Sequence, residues 1–368
     1  MEGTLAAFAG PGRPFELRRL EVPPPAPGGM VVRVLQANIC GSDLHFWQGR
    51  IDLAALGRAM PVVLGHEAVG VVEVLGVGVE TDADGAPLSV GDRVAWRYFL
   101  PCGHCRSCAA GRTRACQRNH QFLSQGQSAD QPPHFVGPLA THHHLPPGQI
   151  VYRVPDGLSD AVAAAANCAV AQAVQGLDVA RLRVGESVVV QGAGGLGLFA
   201  CAVAKAMGAS QVVALDAVSE RLDLAAAFGA DVTLDLNELP DARSRVRAVR
   251  KETDGGADLV CEFVGHPDAV AEGIGMVRPG GRYLECGCVH PGASFPFDPS
   301  QVSLLSRTII GLICYEPWAL REALAFLHRT DGPWDRLTPA PYPLSAIDEA
   351  FADAAARRVP RAAVVPGG

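Results

Sequence analysis

No stretch of the 368-residue chain is apolar over the roughly 18 residues that a membrane span requires, and no dense run of lysine and arginine occurs. Charge is sparse and tilts acidic, at 19 % charged residues and a formal net charge of -7. Both features argue against binding that depends on nucleic-acid phosphates or anionic lipid. The expected partners are small molecules or further copies of the chain. The first residues lack the charged segment followed by an apolar one that directs export, so a reducing cytoplasm is expected. There the eleven cysteines serve as metal ligands and small core residues rather than as disulfides. An internal repeat and a low-complexity linker are also absent. Apolar residues, by contrast, make up 48 % of the chain, enough for packed cores, and the length exceeds what one core usually serves, so two domains are expected.

From Thr4 to about Pro155, short β-branched runs alternate with glycine and proline, the texture of a barrel-like antiparallel domain. The texture then changes. An apolar strand at 187–191, a glycine turn, a helix at 195–209, a strand at 211–216, a helix at 219–230, a strand near Val232, a helix at 241–253 and a strand at 258–264 alternate regularly. Such βαβ repetition with continuously apolar strands predicts a doubly wound parallel sheet covered on both faces. Beyond about Phe295, an apolar run at 308–314, a helix at 318–329 and a last stretch at 362–365 are expected to return to the first domain.

Four cysteines, Cys102, Cys105, Cys108 and Cys116, fall within fifteen residues. Sulfurs at this spacing can fold back on one tetrahedral ion, so the segment reads as a structural zinc lobe. A pair of disulfides is the competing reading, disfavoured by the lack of an export signal.

Residues 192–197 read Gly-Ala-Gly-Gly-Leu-Gly, directly after one strand and before a helix. In that context Gly192 permits a tight turn, Gly194 lets backbone amides approach a pyrophosphate, and Gly197 lets the helix lie close on the strand. Gly195 and Leu196 open the helix, whose free N–H groups and dipole face the phosphates. Asp216 ends the next strand, where a carboxylate accepts both adenosine ribose hydroxyls and repels a 2′-phosphate, which favours NAD. Arg221 follows five residues later and is a candidate for stacking beside that ribose. A helix cap for Asp216 and a solvated charge for Arg221 are the simpler alternatives.

Upstream, Cys40-Gly-Ser-Asp-x-x-His45 is followed by Gly65-His66-Glu67 and by Gly-Asp-Arg-Val at 91–94. Taken in order with the cysteine lobe and the glycine turn, these motifs resemble the zinc-dependent medium-chain alcohol dehydrogenases over nearly the whole chain. The resemblance implies an α/β protein with a GroES-like β-barrel catalytic domain over 1–155, a Rossmann NAD-binding domain over 156–298 and a return to the catalytic domain over 299–368. It implies a catalytic zinc held by Cys40, His66 and Cys168, with Glu67 as a neighbour able to coordinate, hence two zinc ions per chain. Two thiolates and an imidazole leave a fourth position open for an alcohol oxygen. Asp43 is the natural carboxylate to hold a ligating imidazole. Ser42 would take the alcohol proton, which the resemblance passes through the nicotinamide ribose to His45. Taken singly, His45 reads as a surface histidine, Asp43 as a turn residue and Cys168 as a small buried side chain; their joint occurrence favours the site.

By position in the family, Trp47 and Tyr98 line the substrate pocket together with the loop 119–138. Arg50, Arg97, His120 and His134 suit an anionic or polyhydroxylated substrate, or else are solvated charges. Segments 145–156 and 164–173 also resemble a subgroup of these dehydrogenases proposed to serve phosphonate metabolism. His142, His143 and His144 are expected in a loop on the pocket rim, and Cys286 and Cys288 on one face of a strand. The run 308–314 resembles an edge strand that pairs across a two-fold axis, giving a homodimer, with a homotetramer as the alternative. An NAD-dependent alcohol dehydrogenase is the leading reading, and a polyol or hydroxyalkyl-phosphonate dehydrogenase shares its mechanism. A zinc-free quinone-reductase-like relative and a non-catalytic NAD-binding protein are the alternatives from other classes.

Overall fold

The structure is a computed structural model that describes residues 1–118, 127–289, 292, 294–338 and 340–367. It divides into two compact units, one formed by Met1–Ala171 with Tyr315–Gly368 and the other by Gln172–Cys314.

The first unit begins with strands β1 (Glu2–Phe8), β2 (Glu16–Glu21), β3 (Met30–Asn38), β4 (Val62–Val63), β5 (Glu67–Leu75), β6 (Arg93–Trp96), β7 (His142–Leu145) and β8 (Val151–Arg153). The second carries β9 (Ser187–Gln191), β10 (Gln211–Asp216), β11 (Val232–Asp235), β12 (Ala257–Glu262), β13 (Val277–Glu285) and β14 (Thr308–Gly311), and the chain returns to the first with β15 (Tyr342–Pro343) and β16 (Ala363–Val365). One sheet of the first unit has the order β2-β1-β4; the other runs β15-β16-β3-β5-β6-β8, with β7 also on β3. Their inward apolar residues, among them Phe8, Val32, Val63, Val72 and Trp96, close one core together with Phe351 of the helix Ile347–Ala355.

In the second unit the order β11-β10-β9-β12-β13-β14 is parallel throughout. β9 and β10 lie in the middle of it with nearly every residue buried, which explains their unbroken apolar sequence. Helices Gly195–Ala206, Ser219–Ala227, Ala242–Glu252 and Pro267–Met276 link successive strands. Capping supports the boundaries: Asp241 accepts the Ser244 amide at 2.7 Å, and Pro267 opens its helix at the first turn, where no amide partner is needed.

The unit boundaries lie at 171/172 and 314/315, sixteen residues beyond the 155/156 and 298/299 positions that the family resemblance implies. Helical segments at 160–170 pack on β3, β5 and β6, so they belong with the barrel although they are no longer β in pattern. The run at 308–314 likewise stays with the parallel sheet, because β14 pairs with β13. His142–His144 form a strand rather than a rim loop, with His143 opposite Val32 of β3. No helix among the described residues is long and apolar enough to cross a membrane.

Candidate active site

Strand register assembles the first cluster. β3 pairs antiparallel with β5 so that Asn38 faces Glu67. Cys40 stands two residues past the end of β3 and His66 one residue before β5, and the pairing therefore brings them face to face. The third member comes from a single turn of π-helix, Ala166–Val170, a widened turn of the kind often found at functional sites. Its Cys168 sulfur lies 3.4 Å from His66 Nε2. The donor atoms of Cys40, His66 and Cys168 all lie within 4.8 Å of one another.

Asp43, buried in the first turn of the helix Gly41–Trp47, accepts the amides of Cys40 at 2.9 Å and Gly65 at 3.2 Å. Its Oδ1 is 3.5 Å from His66 Nδ1, which leaves Nε2 turned toward the sulfurs. Burial opposes a charge on His66, yet Asp43 and Cys40 raise its pKa well above the usual range. Hydrogen bonding to Cys168 draws the Cys40 thiol well below its ordinary value, and the same contact with burial pushes Cys168 well above. Two cysteine sulfurs, deprotonated on metal binding, and a carboxylate-oriented imidazole match the donor set of an open zinc site.

Asn167, adjacent to Cys168, is fully buried and ties the turn to its surroundings. Its Nδ2 donates to the carbonyls of His66 at 3.1 Å and Trp96 at 2.9 Å, and its Oδ1 accepts the Ala68 amide at 3.3 Å. The Tyr315 hydroxyl donates to the Asn167 carbonyl.

Glu67 is not among the clustered donors. Its carboxylate meets Arg361 in a buried ion pair and accepts Asn38 Nδ2 at 3.2 Å. Pairing of β16 with β3, Ala363 opposite Asn38, brings Arg361 there. Burial raises the Glu67 pKa, while Arg361 acts against that rise.

Ser42 and His45 lie three residues apart on the helix Gly41–Trp47, on one side of it, and both are half-buried. Tyr98 is buried with its ring edge-on to His66, centroids 5.0 Å apart. Trp47 packs against Phe351, with ring centroids 5.9 Å apart.

In the lobe, the sulfurs of Cys102, Cys105, Cys108 and Cys116 also lie within 4.8 Å of one another. The Cys102 amide donates to Cys116 Sγ at 3.3 Å and the Cys105 amide to Cys102 Sγ at 3.4 Å. Amides at Cys108 and Gln117 lower the Cys105 pKa to about 6. Backbone donors aimed at four converging sulfurs favour thiolates, and such a set fits a closed tetrahedral ion. Glu316 fastens the lobe by accepting the amides of Thr113 at 3.0 Å and Arg114 at 3.1 Å.

In the second unit, Gly192 has φ +89°, and a Cβ on Gly197 would strike the Gly192 carbonyl oxygen. A Cβ on Gly194 would meet open space, as the approach of a phosphate requires. Gly195 and Leu196 begin the helix Gly195–Ala206. The Asp216 carboxylate accepts the Ala193 amide at 2.8 Å and the amides of Ala217 and Val218 at 2.8 and 3.0 Å, with Arg221 Nη1 3.8 Å away. Asp216 thus pins the glycine turn to the end of β10. A cavity of about 260 Å³ opens beside the turn, lined in part by Gly192, Leu215, Leu236 and Val264.

Residues 26–156 match the alcohol dehydrogenase GroES-like domain and residues 195–329 the zinc-binding dehydrogenase family. A 5-exo-hydroxycamphor dehydrogenase of Pseudomonas putida is 34 % identical over 83 % of this chain and 82 % of its own. The chain belongs to the zinc-dependent medium-chain alcohol dehydrogenase family. An L-threonine 3-dehydrogenase of Streptomyces avermitilis is 32 % identical over 92 % of this chain and 93 % of its own. Among solved structures, an alcohol dehydrogenase from Thermotoga maritima superposes with a TM-score of 0.92 at 27 % identity over 100 % of both chains, and one from Thermus sp. ATN1 with 0.85 at 30 % over 99 % of both.

This dehydrogenase is accordingly an oxidoreductase that interconverts a small-molecule alcohol and a carbonyl compound, in a family that works with zinc and a nicotinamide dinucleotide. Several candidate side chains are engaged elsewhere in its structure. Arg97 is buried, with its guanidinium 4.5 Å from the Phe99 ring centroid and Nη1 2.9 Å from Thr113 Oγ1. His134 Nδ1 lies 2.9 Å from the Ala129 carbonyl, and Arg50 is exposed. His120, with residues 119–126 of the expected pocket loop, lies outside the described residues. Cys286 and Cys288 follow the end of β13 at Glu285, so strand alternation does not govern them: Cys286 is buried, and Cys288 is half-exposed beside Glu262 and Glu285. Sequence reasoning missed Asn38, Asn167, Tyr315, Glu316 and Arg361. Only Asn167, next to a candidate ligand, carried any signal.

Proposed function

We propose that this dehydrogenase carries two zinc ions per chain and transfers hydride from an alcohol to NAD, forming an aldehyde or ketone. Cys40, His66 and Cys168 hold the catalytic ion, and Cys102, Cys105, Cys108 and Cys116 hold the structural one. The observation that carries this reading is the convergence of the Cys40, His66 and Cys168 donor atoms within 4.8 Å, with His66 oriented by Asp43.

When bound, zinc supplies a Lewis-acid charge that lowers the pKa of an alcohol hydroxyl, and NAD supplies the hydride acceptor. The chain's own residues do the rest. Asp43 fixes the His66 tautomer, keeping the Nε2 lone pair available. Ser42 accepts the substrate proton, and His45 on the same side of the helix passes it to solvent. Tyr98, edge-on to His66, walls the substrate site, and Trp47 contributes at its margin. Glu67, held by Arg361, balances the positive charge nearby and is able to enter the coordination sphere only by leaving that pair. Gly192, Gly194, Gly195, Leu196 and Gly197 receive the pyrophosphate. Asp216 takes the adenosine ribose hydroxyls with Arg221 beside it, a preference for NAD over NADP.

A homodimer, with a homotetramer as the alternative, is supported by β14 at the edge of the parallel sheet, where Ile309 is 44 % exposed. Eleven free cysteines suit a cytoplasmic setting. The test is reduction of NAD by the purified enzyme across alcohols, polyols and hydroxyalkyl phosphonates, alongside metal analysis. Turnover with two zinc ions per chain is expected. Two bound zinc ions with no turnover on the whole panel would leave a non-catalytic NAD-binding protein, and fewer than two would revive a zinc-free reductase.

A further inference from the structure

Glu262 ends β12 and Glu285 ends β13, and these two strands are parallel neighbours with Glu262 paired to Glu285 in register. Both carboxylates therefore emerge side by side at the C-terminal edge of the sheet, where ligands of open α/β sheets bind. Each is held through one oxygen. Glu262 Oε1 accepts the amides of Val264 at 2.6 Å and Gly265 at 2.7 Å, and Glu285 Oε1 those of Gly287 at 3.1 Å and Cys288 at 2.9 Å. The second oxygens are left to face one another. Tyr283 donates to Glu285 Oε2 at 3.2 Å, whereas Glu262 Oε2 has no hydrogen-bond partner although Glu262 is 0 % exposed.

The half-exposed thiol of Cys288 closes the group, so that one donor atom from each of the three residues lies within 4.8 Å of the others. Burial and the neighbouring Glu285 are the leading influences on both Glu262 and Cys288. A fully buried carboxyl group facing a half-buried one requires either a shared proton or a metal ion to offset the charge between them. The amides already fix both carboxylates, and a sulfur completes a three-donor set with a half-exposed side for entry. A proton needs no third donor.

We propose that Glu262, Glu285 and Cys288 form a further metal site, taking a thiophilic divalent cation such as Zn²⁺ on the dinucleotide-binding unit. On binding, the Cys288 S–H bond and the O–H bond of the proton shared by the carboxyl pair break, both protons pass to solvent, and the sulfur and one oxygen of each carboxylate coordinate the ion. The site adjoins the glycine turn: Val264, whose amide Glu262 holds, would lie 2.9 Å from a Cβ built on Gly192.

Native mass spectrometry of the intact enzyme titrated with Zn²⁺ tests this. Glu285→Gln keeps an oxygen for the two amides but loses the charge, and Cys288→Ser removes the sulfur. The wild type is expected to take up one more Zn²⁺ per chain than either variant. Bound Zn²⁺ is also expected to slow alkylation of Cys288 about tenfold in the wild type and not in Glu285→Gln. Equal metal counts in all three proteins, or equal alkylation with and without Zn²⁺, would overturn the proposal and leave the carboxyl pair sharing a proton. The comparison rests on a difference between proteins. Failure of the Cys40, His66 and Cys168 assignment would lower every count by one and leave that difference unchanged.

Discussion

Arg361, two residues before β16, meets Glu67, the first residue of β5, in a buried ion pair. Both side chains are buried, and the guanidinium is held charged, against burial, by Glu67 with Cys40 and Cys168 close by. Arg361→Leu leaves the carboxylate buried and unpaired, at a cost of about 3–5 kcal/mol. The double variant Arg361→Leu/Glu67→Gln is expected to recover much of that loss. Thermal melts of the three proteins check it, and equal melting temperatures for the single and double variants would show that the pair is not the cause.

Replacing Cys40 or Cys168 by Ser is expected to lower zinc from two ions per chain to one, to reduce turnover to background, and to leave NAD binding intact. Cys40, His66 and Cys168 lie in one compact unit and the glycine turn at 192–197 in the other. Metal analysis and NAD titration decide this, and retained turnover would remove the ion from the mechanism.

Asn167→Ala deletes three hydrogen bonds inside the barrel unit, among them the one to the His66 carbonyl. Unsatisfied buried backbone groups cost about 1–3 kcal/mol each before relaxation, and loss of the support behind a ligand weakens metal affinity about 10–100-fold. Zinc retention under a graded chelator series measures the second effect. Asn167→Asp, which keeps the acceptor for the Ala68 amide but not the donors, should fall nearer to Ala than to wild type.

Asp216→Ser is expected to raise the KM for NAD about tenfold and to relax discrimination against NADP. The Ala193 amide also loses its acceptor, so some looseness of the glycine turn accompanies the change. An unchanged NAD to NADP preference would mean that the ribose lies elsewhere.

His143 supplies the pH dependence. It is buried against Trp96, centroids 5.4 Å apart, and burial followed by the neighbouring His144 lowers its pKa from 6.5 to about 3. The folded state therefore resists a proton that the unfolded chain accepts. The stabilisation is complete above pH 6.5 and is lost as pH falls toward 3. At pH 5 it amounts to a loss of about 2 kcal/mol relative to neutral pH. His143→Phe should flatten that part of the pH profile, read as the difference in denaturant midpoint between pH 7 and pH 5 for variant and wild type.

The four-cysteine cluster and the glycine turn were legible because each is a local device. Four sulfurs within fifteen residues, or three glycines at a strand–helix junction, need no distant partner to declare their geometry. The parallel sheet was equally plain, since β9 and β10 are apolar on both faces. The histidine run misled because three consecutive polar side chains read as surface. Here one sits in the barrel core and another is held by Glu73 at 2.9 Å.

By itself the sequence determined the order of the elements, the local cysteine and glycine motifs, and, through the combined motifs, the family. Tertiary structure decided what meets what. Arg361 reaches Glu67 across roughly three hundred residues because β16 pairs beside β3. Glu262 faces Glu285 because two parallel strands end at one level. Sequence spacing encodes contacts only within a turn or a strand. Partners separated by whole elements are chosen by sheet register and by the packing of apolar faces, which no single segment carries.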